Sequence, residues 1–215
     1  YLVTATGYYN HDQGYTPQFE GVENFKGQVV HPQHWPENLD YSNKRVVVIG
    51  SGATAVTLIP AMANDTAHIT MLQRSPSYVI NVPNTDKLVD ACRKVLSEKL
   101  VYKIFRKRNI FMQRGIYKVC RRFPNQMRSF LLSGVKKALG DQYDMSHFTP
   151  DYMPWDQRLC AIPDNDLFDV IRDGKASVVT DQIERFTENG ILLKSGKTLE
   201  ADIIVTSTCL ELQLF

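Results

Sequence analysis

Three hydrophobic patterns follow one another along the chain. The first is Arg45-Val46-Val47-Val48-Ile49-Gly50, a short β-branched apolar run closed by glycine. Such a run predicts a strand buried on both faces of a parallel sheet. Gly50-Ser51-Gly52-Ala53-Thr54-Ala55 comes next, then the apolar stretch from Val56 to Ala63, then a second predicted strand, His68-Ile69-Thr70-Met71-Leu72. Between Asp86 and Gly140 the period changes. Leu96, Leu100, Ile104, Phe111, Ile116, Val119, Phe130 and Leu131 recur at helical spacing among basic residues, which predicts two or three amphipathic helices with Pro124 interrupting. After residue 164 the α/β pattern returns. Asp164-Asn165-Asp166 offers an N-cap for a helix over Leu167–Ile171, with Gly174 as its C′ residue. Strands are predicted at Ser177–Thr180 and Ala201–Thr206. A hairpin is predicted around Asn189-Gly190, and a turn at Lys194–Lys197. The expected fold class is α/β: a Rossmann-like nucleotide-binding domain with a parallel sheet, interrupted by a basic, mostly helical subdomain.

Composition adds limits. The 215 residues are 43% hydrophobic and 10% aromatic, enough for a sizeable core and unlike a disordered chain. No apolar run approaches the roughly 18–20 residues of a membrane span. Cys92, Cys120, Cys160 and Cys209 are scattered without CxxC spacing. Neither a zinc site nor a disulfide framework is expected, and a reducing, cytoplasmic setting is the simpler reading. The chain opens on Tyr1 without a signal peptide, so a larger parent protein is expected.

The net charge of +2 conceals a strong asymmetry. Residues 86–140 hold fifteen Lys and Arg against three Asp and Glu, a net +12, and the remainder carries −10. A solvated basic face accounts for such a block. So does a surface that meets anionic lipid or an acidic partner. No nucleic-acid motif accompanies the charge.

The chemistry lies in the turn after the first predicted strand. In Gly50-Ser51-Gly52-Ala53-Thr54-Ala55, Gly50 permits a tight turn and Gly52 lets a pyrophosphate approach the backbone. Ala53 and Thr54 open a helix whose free N–H groups and dipole favour phosphate, and the small Ala55 allows close helix–strand contact. The alternative is a small-residue packing contact without a ligand. At the end of the second strand an NAD site usually carries a carboxylate for the ribose hydroxyl. Gln73-Arg74-Ser75 stands there instead, and the Arg74 fork with the Ser75 hydroxyl favours a 2′-phosphate, hence NADPH.

Ahead of the strand, Phe25-Lys26-Gly27-Gln28-Val29-Val30-His31-Pro32-Gln33-His34-Trp35-Pro36 matches FxGxxxHxxxW[PD] at Phe25, Gly27, His31, Trp35 and Pro36. This resembles the fingerprint of type I Baeyer–Villiger, flavin-containing monooxygenases, which use FAD and NADPH. Thr4-Ala5-Thr6-Gly7 and the stretches HPQHWPENLDY, VVVIGSGATAVTLIPA, TMLQRSP, PWDQRLC and ADIIVT are similar to the EthA-like, ethionamide-activating branch over essentially the whole chain.

The resemblance implies a domain plan. Residues 1–42 would be the exit strand of an FAD domain and the signature linker. Residues 43–82 and 152–208 would form the NADP-binding domain, with 83–151 as a helical insertion and 209–215 as the start of the return to the FAD domain. It also implies that Gln157-Arg158 falls on the family's Lys/Arg pair. Arg158 would then be the active-site arginine, stabilising a C4a-peroxyflavin that oxygenates a ketone or a thioamide sulfur. Gln157 departs from the family's lysine and leaves Arg74 more of the 2′-phosphate work. Read from the residues alone, Arg158 is equally an ion-pair partner for Asp156 or Asp164. In the family the last strand enters an ATG turn. Here Thr206-Ser207-Thr208-Cys209 puts a Cβ where positive φ is expected.

One dinucleotide motif is present where flavin monooxygenases carry two, so the chain reads as an internal fragment that is silent without its FAD domain. Two other readings stand beside this one. The basic helices could form a membrane- or partner-binding module on a vestigial nucleotide fold. A flavin-dependent disulfide reductase would need a CxxC pair that is missing.

Overall fold

The computed structural model describes residues 1–3, 5 and 7–213. Thr4 and Thr6, from the stretch likened to the flavin monooxygenase strand end, lie outside the described residues. In chain order the elements are β1 (Tyr9–Gly14), β2 (Gln28–Val30), β3 (Arg45–Ile49), α1 (Ala53–Met62), β4 (His68–Gln73), β5 (Tyr78–Val82), α2 (Lys87–Arg93), α3 (Glu98–Arg122), α4 (Pro124–Leu139), β6 (Leu159–Pro163), α5 (Asp166–Arg172), β7 (Ala176–Thr180), β8 (Ile183–Thr187), β9 (Gly190–Leu193), β10 (Thr198–Glu200), β11 (Ile203–Thr206) and β12 (Leu210–Leu212). They fall into two compact units, residues 1–76 with 170–215 and residues 77–169.

The first unit is built on a five-stranded parallel sheet of order β2-β11-β3-β4-β7. Its central strand β3 is the Val46–Ile49 run, and the alternation of side chains explains why all four positions are apolar. Val47 and Ile49 enter a core with Leu72, Ile204, Phe25, Phe186, Ile191 and Leu193, the last three supplied by the antiparallel sheet β10-β9-β8. Val46 and Val48 point to the opposite face, where α1 contacts β3 and β4 through the buried Ala55, Val56 and Ile59. The sheet is thus covered on both sides. The predicted hairpin is β8–β9, and Gly190 at its turn has φ 157°.

Two long-range ties fix the sheet's N-terminal edge. The Asp202 carboxylate accepts the Arg45 backbone N–H at 2.8 Å and the guanidinium at 2.9 and 3.2 Å. The Arg45 guanidinium also reaches Glu200. Asp202 in turn lends its backbone carbonyl to the Gln28 N–H at 3.1 Å. A Cβ at Gly27 would fall 2.3 Å from that carbonyl oxygen, so the glycine of the signature is a close-approach residue. β1 pairs antiparallel with β12 across nearly the whole sequence.

The second unit contains the basic helices and a parallel pair, β5–β6, which no local pattern announced. The Asp86 carboxylate caps α2 by accepting the Leu88 and Val89 N–H groups at 3.0 and 3.3 Å. It also pairs with Arg108 of α3. The interruption expected at Pro124 is there. Phe123 ends α3 outside helical geometry, and Pro124 takes the first position of α4, where its missing N–H costs nothing. Tyr78 is buried in this unit, donates its hydroxyl to the Tyr152 carbonyl at 2.8 Å and meets the Tyr152 ring edge-on. Phe148 and Phe168 form another edge-on pair. The helix predicted over Leu167–Ile171 is α5. The left-handed Asp164 and Asn165 precede it, and Gly174 follows at φ 75°. Among the described residues no helix is long and apolar enough to cross a membrane.

Candidate nucleotide site

Strands β3, β4 and β11 are parallel and in register, with Ile49 opposite both Leu72 and Thr206. The segments that leave these three strands therefore emerge at the same C-terminal edge, where open α/β sheets take their ligands. After β3 comes Gly50, at the end of β4 stand Gln73 and Arg74, and after β11 comes Ser207.

Gly50 carries the turn. Its N–H donates to the Leu72 carbonyl at 2.8 Å and its φ is 130°. A Cβ there would stand 2.4 Å from the Ser207 carbonyl oxygen, so both conformation and space demand glycine. Ser51 is buried. Gly52 is different. Its backbone is extended, it is the N-cap of α1, and an added Cβ would meet nothing within 4 Å. No side chain caps the helix there, and its first intrahelical bond is Val56 N–H to the Gly52 carbonyl at 3.1 Å. The first-turn N–H groups of Ala53 and Thr54 are the ones a helix leaves without internal partners. Both residues are exposed, whereas Ala55 is fully buried against the sheet.

At the end of β4, Gln73 is buried and donates from Nε2 to the Thr180 hydroxyl at 2.9 Å. Arg74 and Ser75 are exposed, and among the described residues Arg74 has no ion-pair partner. One nearby group escaped the sequence reading. Asp181 donates its backbone N–H to the Gln73 carbonyl at 2.9 Å, which brings a carboxylate close to this strand end. That carboxylate is engaged elsewhere. It accepts the Gln182 and Ser195 N–H groups, and hydrogen bonding to the Ser195 hydroxyl, then to the Gln182 N–H, holds it below the usual carboxylate range.

A cleft of about 280 Å³ lies beside the start of α1, lined by Thr54, Ser207, Cys209, His31 and Gln33 among others. His31 of the signature accepts the Gln33 N–H on Nδ1 at 3.2 Å, which places the proton of a neutral ring on Nε2. That Nε2 is buried without a hydrogen-bond partner among the described residues, as is Oε1 of Gln33. The ring packs on Gly14, where a Cβ would fall 1.9 Å from the imidazole. The rest of the signature serves packing. Phe25 is in the core, edge-on to Phe186, and Trp35 stands edge-on to Tyr41 with the exposed Pro36 beside it in sequence. Cys209 has φ 92°, the backbone expected for the glycine it replaces.

In the second unit Gln157 and Arg158 are exposed. Arg158 Nε donates to the Ser77 hydroxyl at 3.1 Å, and the Arg158 carbonyl accepts from the Tyr152 hydroxyl at 3.0 Å. Of the two nearby carboxylates, Asp156 pairs with Arg121, and Asp164 accepts the Asn84 N–H at 3.1 Å. Burial pushes the neighbouring Cys160 thiol up while the Arg158 charge opposes the shift. A larger groove of about 750 Å³ opens on α2 and α3 but holds none of the predicted site residues. Among the described residues no cluster of His, Cys, Asp and Glu is arranged to hold a metal ion, and all four cysteines are free thiols.

Comparison with known proteins places the fold. Solved structures of similar fold include OTEMO in complex with FAD and NADP (TM-score 0.74, 19% identity, covering 97% of this chain and 47% of that one). An oxidized steroid monooxygenase bound to NADP gives a TM-score of 0.70 at 21% identity over 97% of this chain and 46% of that one. Curated relatives include MymA of Mycobacterium tuberculosis, a putative FAD-containing monooxygenase, at 59% identity, and AlmA of an Acinetobacter species, a probable FAD-binding monooxygenase, at 57%. EthA of Mycobacterium tuberculosis, an FAD-containing monooxygenase, is 52% identical. Each alignment covers all of this chain, which spans 43–44% of the length of these relatives. The model of the flavin-binding monooxygenase-like family matches residues 2–214. The chain belongs to the flavin-binding monooxygenase-like family.

Proposed function

We propose that this chain is the NADPH-binding portion of an FAD-dependent monooxygenase of the Baeyer–Villiger type. The observation that carries the reading is the open N-terminus of α1. Gly52 caps it without a side chain, clear space lies over its Cβ direction, and the exposed Arg74 stands at the same edge of the sheet. In this reading Ala53 and Thr54 give their N–H groups to the pyrophosphate, and Ser51 shapes the turn. Arg74 takes the 2′-phosphate as a fork, with the Ser75 hydroxyl beside it. The buried Nε2–H of His31 supplies a further donor at the mouth of the cleft.

NADPH supplies the hydride that reduces FAD, and flavin with O₂ supplies the oxygen-transfer chemistry. This chain has one glycine turn of the required kind, so FAD is assigned to the rest of the whole enzyme and the isolated chain is expected not to oxygenate. Residues 43–82 and 152–208 are assigned to the nucleotide domain, 83–151 to the insertion, 1–42 to the FAD-domain exit and linker, and 209–215 to the return. Arg158, held by Ser77, is assigned as a fixed cation next to the reacting groups, with Gln157 contributing a neutral contact where a second cation would otherwise stand. The substrate class is a ketone or a thioamide sulfur.

The test is nicotinamide fluorescence titration of wild type and Gly52→Val. A branched side chain at Gly52 fills the space over the helix N-terminus. The expected result is loss of NADPH binding with the thermal unfolding curve retained. Wild-type affinity in the variant would overturn the reading.

A further inference from the structure

Arg158 is exposed, yet its main chain and its side chain are both tied down. β5 and β6 pair in parallel with Tyr78 opposite Leu159, so Ser77 and Arg158 stand side by side just ahead of the two strands. Ser77 is 3% exposed, and its hydroxyl accepts the Arg158 Nε–H at 3.1 Å. The Arg158 carbonyl accepts the Tyr152 hydroxyl at 3.0 Å. The Tyr152 carbonyl in turn accepts the hydroxyl of Tyr78, itself 1% exposed, at 2.8 Å, and Arg128 Nη1 at 3.3 Å. Ser77 and Tyr78 are neighbours in the chain. Hydrogen bonds and one peptide link therefore close a ring that runs from Ser77 through Tyr78, Tyr152 and Arg158 back to Ser77. Within it Tyr152 joins the buried anchor to the arginine. Its carbonyl and the edge of its ring engage Tyr78, and its hydroxyl engages Arg158.

We infer that Tyr152 is a positioning residue: its hydroxyl holds the Arg158 main chain where the Ser77 hydroxyl can take Nε, and so sets the direction of the guanidinium. This rests on the reading of Arg158 as a fixed cation beside the reacting groups. An exposed arginine ordinarily spreads over many rotamers. Here the backbone that carries the side chain and the guanidinium itself are each fixed to a residue packed in the second unit. Both of these ties end on neutral oxygens, so they set the direction of the cation without cancelling its charge. Such preorganisation counts in catalysis, because a cation already in place needs no rearrangement as charge develops on the reacting groups. Tyr152 acts through Arg158 and touches neither NADPH nor flavin in this account.

Two measurements on Tyr152→Phe, which removes the hydroxyl and keeps the ring against Tyr78, test the inference. The first is NMR of the Arg158 Nε–H in this chain, assigned by its loss in Arg158→Ala and needing no cofactor. Tyr152→Phe is expected to speed the exchange of that proton with water by about three- to tenfold, the scale of one lost hydrogen bond. The second is product formed per NADPH oxidised in a full-length protein that carries this segment together with an FAD domain. There Tyr152→Phe is expected to lower oxygenation by a similar factor, with hydrogen peroxide in place of product and NADPH affinity unchanged. Ser77→Ala severs the side-chain tie and is expected to move both readouts the same way. In an Arg158→Ala background Tyr152→Phe is expected to add nothing, since the side chain it acts through is gone. Wild-type exchange or wild-type coupling in Tyr152→Phe, or a further loss in the double variant, would each overturn the inference and leave the Arg158 assignment standing. Wild-type coupling in Arg158→Ala would overturn that assignment and the inference with it, whatever the exchange rate.

Discussion

Gly50 and Ser207 meet backbone to backbone. The Cβ that alanine would add at Gly50 lies 2.4 Å from the Ser207 carbonyl oxygen, and the Gly50 φ of 130° already excludes most side chains. Gly50→Ala is expected to cost about 2–4 kcal/mol of stability, from backbone strain together with overpacking. Denaturant unfolding of the two proteins measures it. The two glycines of the turn thus separate: Gly50 is fixed by its backbone and its neighbour, whereas Gly52 has open space ahead of it, where the proposed nucleotide would lie.

Cys209 has a left-handed backbone that an L side chain adopts at a cost. Cys209→Gly is expected to stabilise the chain by about 1 kcal/mol, the relief of left-handed strain less the added freedom of the unfolded glycine. Thermal unfolding checks this, and NADPH affinity should stay within about twofold of wild type.

Much of this architecture is written in local sequence. The Val46–Ile49 run is apolar at every position because α1 covers one face of β3 and the β8–β10 sheet the other. Continuity without alternation reports that directly. Gly50, Gly52 and Ala55 were legible because each meets a different constraint at a fixed spacing. Pro124 marked the break between α3 and α4 because proline fits the first position of a helix, where its missing N–H breaks no intrahelical bond. The parts that could not be read depend on partners far along the chain. β5 and β6 pair in parallel although some 80 residues separate them, and β1 pairs with β12 near the opposite end. The hydrogen bond of Arg158 to Ser77 spans a similar distance, beyond the reach of any local pattern. Asp181 was missed for the same reason: only the β4–β7 pairing brings it beside Gln73.

The tie between Asp202 and Arg45 predicts an acid response. Hydrogen bonding to the Arg45 guanidinium holds the Asp202 carboxyl below its ordinary range. A carboxylate with a depressed folded-state pKa stabilises the fold above its unfolded pKa, and the contribution disappears as pH falls through the folded value. Wild type is therefore expected to lose melting temperature faster than Asp202→Asn below about pH 4. At neutral pH the variant should be the less stable of the two. Parallel curves over the acid range would show that the tie contributes nothing to folding.

Arg158 is testable in a full-length protein that carries this segment together with an FAD domain. Arg158→Ala is expected to bind NADPH still, through the α1 N-terminus and Arg74, and to lose roughly 10²–10³ in oxygenation rate, the scale of one electrostatic stabiliser. Product formed per NADPH oxidised should fall, with hydrogen peroxide in its place. Ser77→Ala, which removes only the hydroxyl that holds the guanidinium, should show the same uncoupling in weaker form. Unchanged coupling in Arg158→Ala would assign the residue to structure.

Isothermal titration of this chain with NADPH and with NADH, repeated for Arg74→Ala, tests the central claim most directly. The account predicts that wild type binds NADPH more tightly than NADH. It also predicts that Arg74→Ala loses about 1.5–3 kcal/mol toward NADPH, the worth of a charged hydrogen-bonding contact, while NADH affinity is almost unchanged. Equal affinity of wild type for the two cofactors, or equal losses for both in the variant, would contradict it.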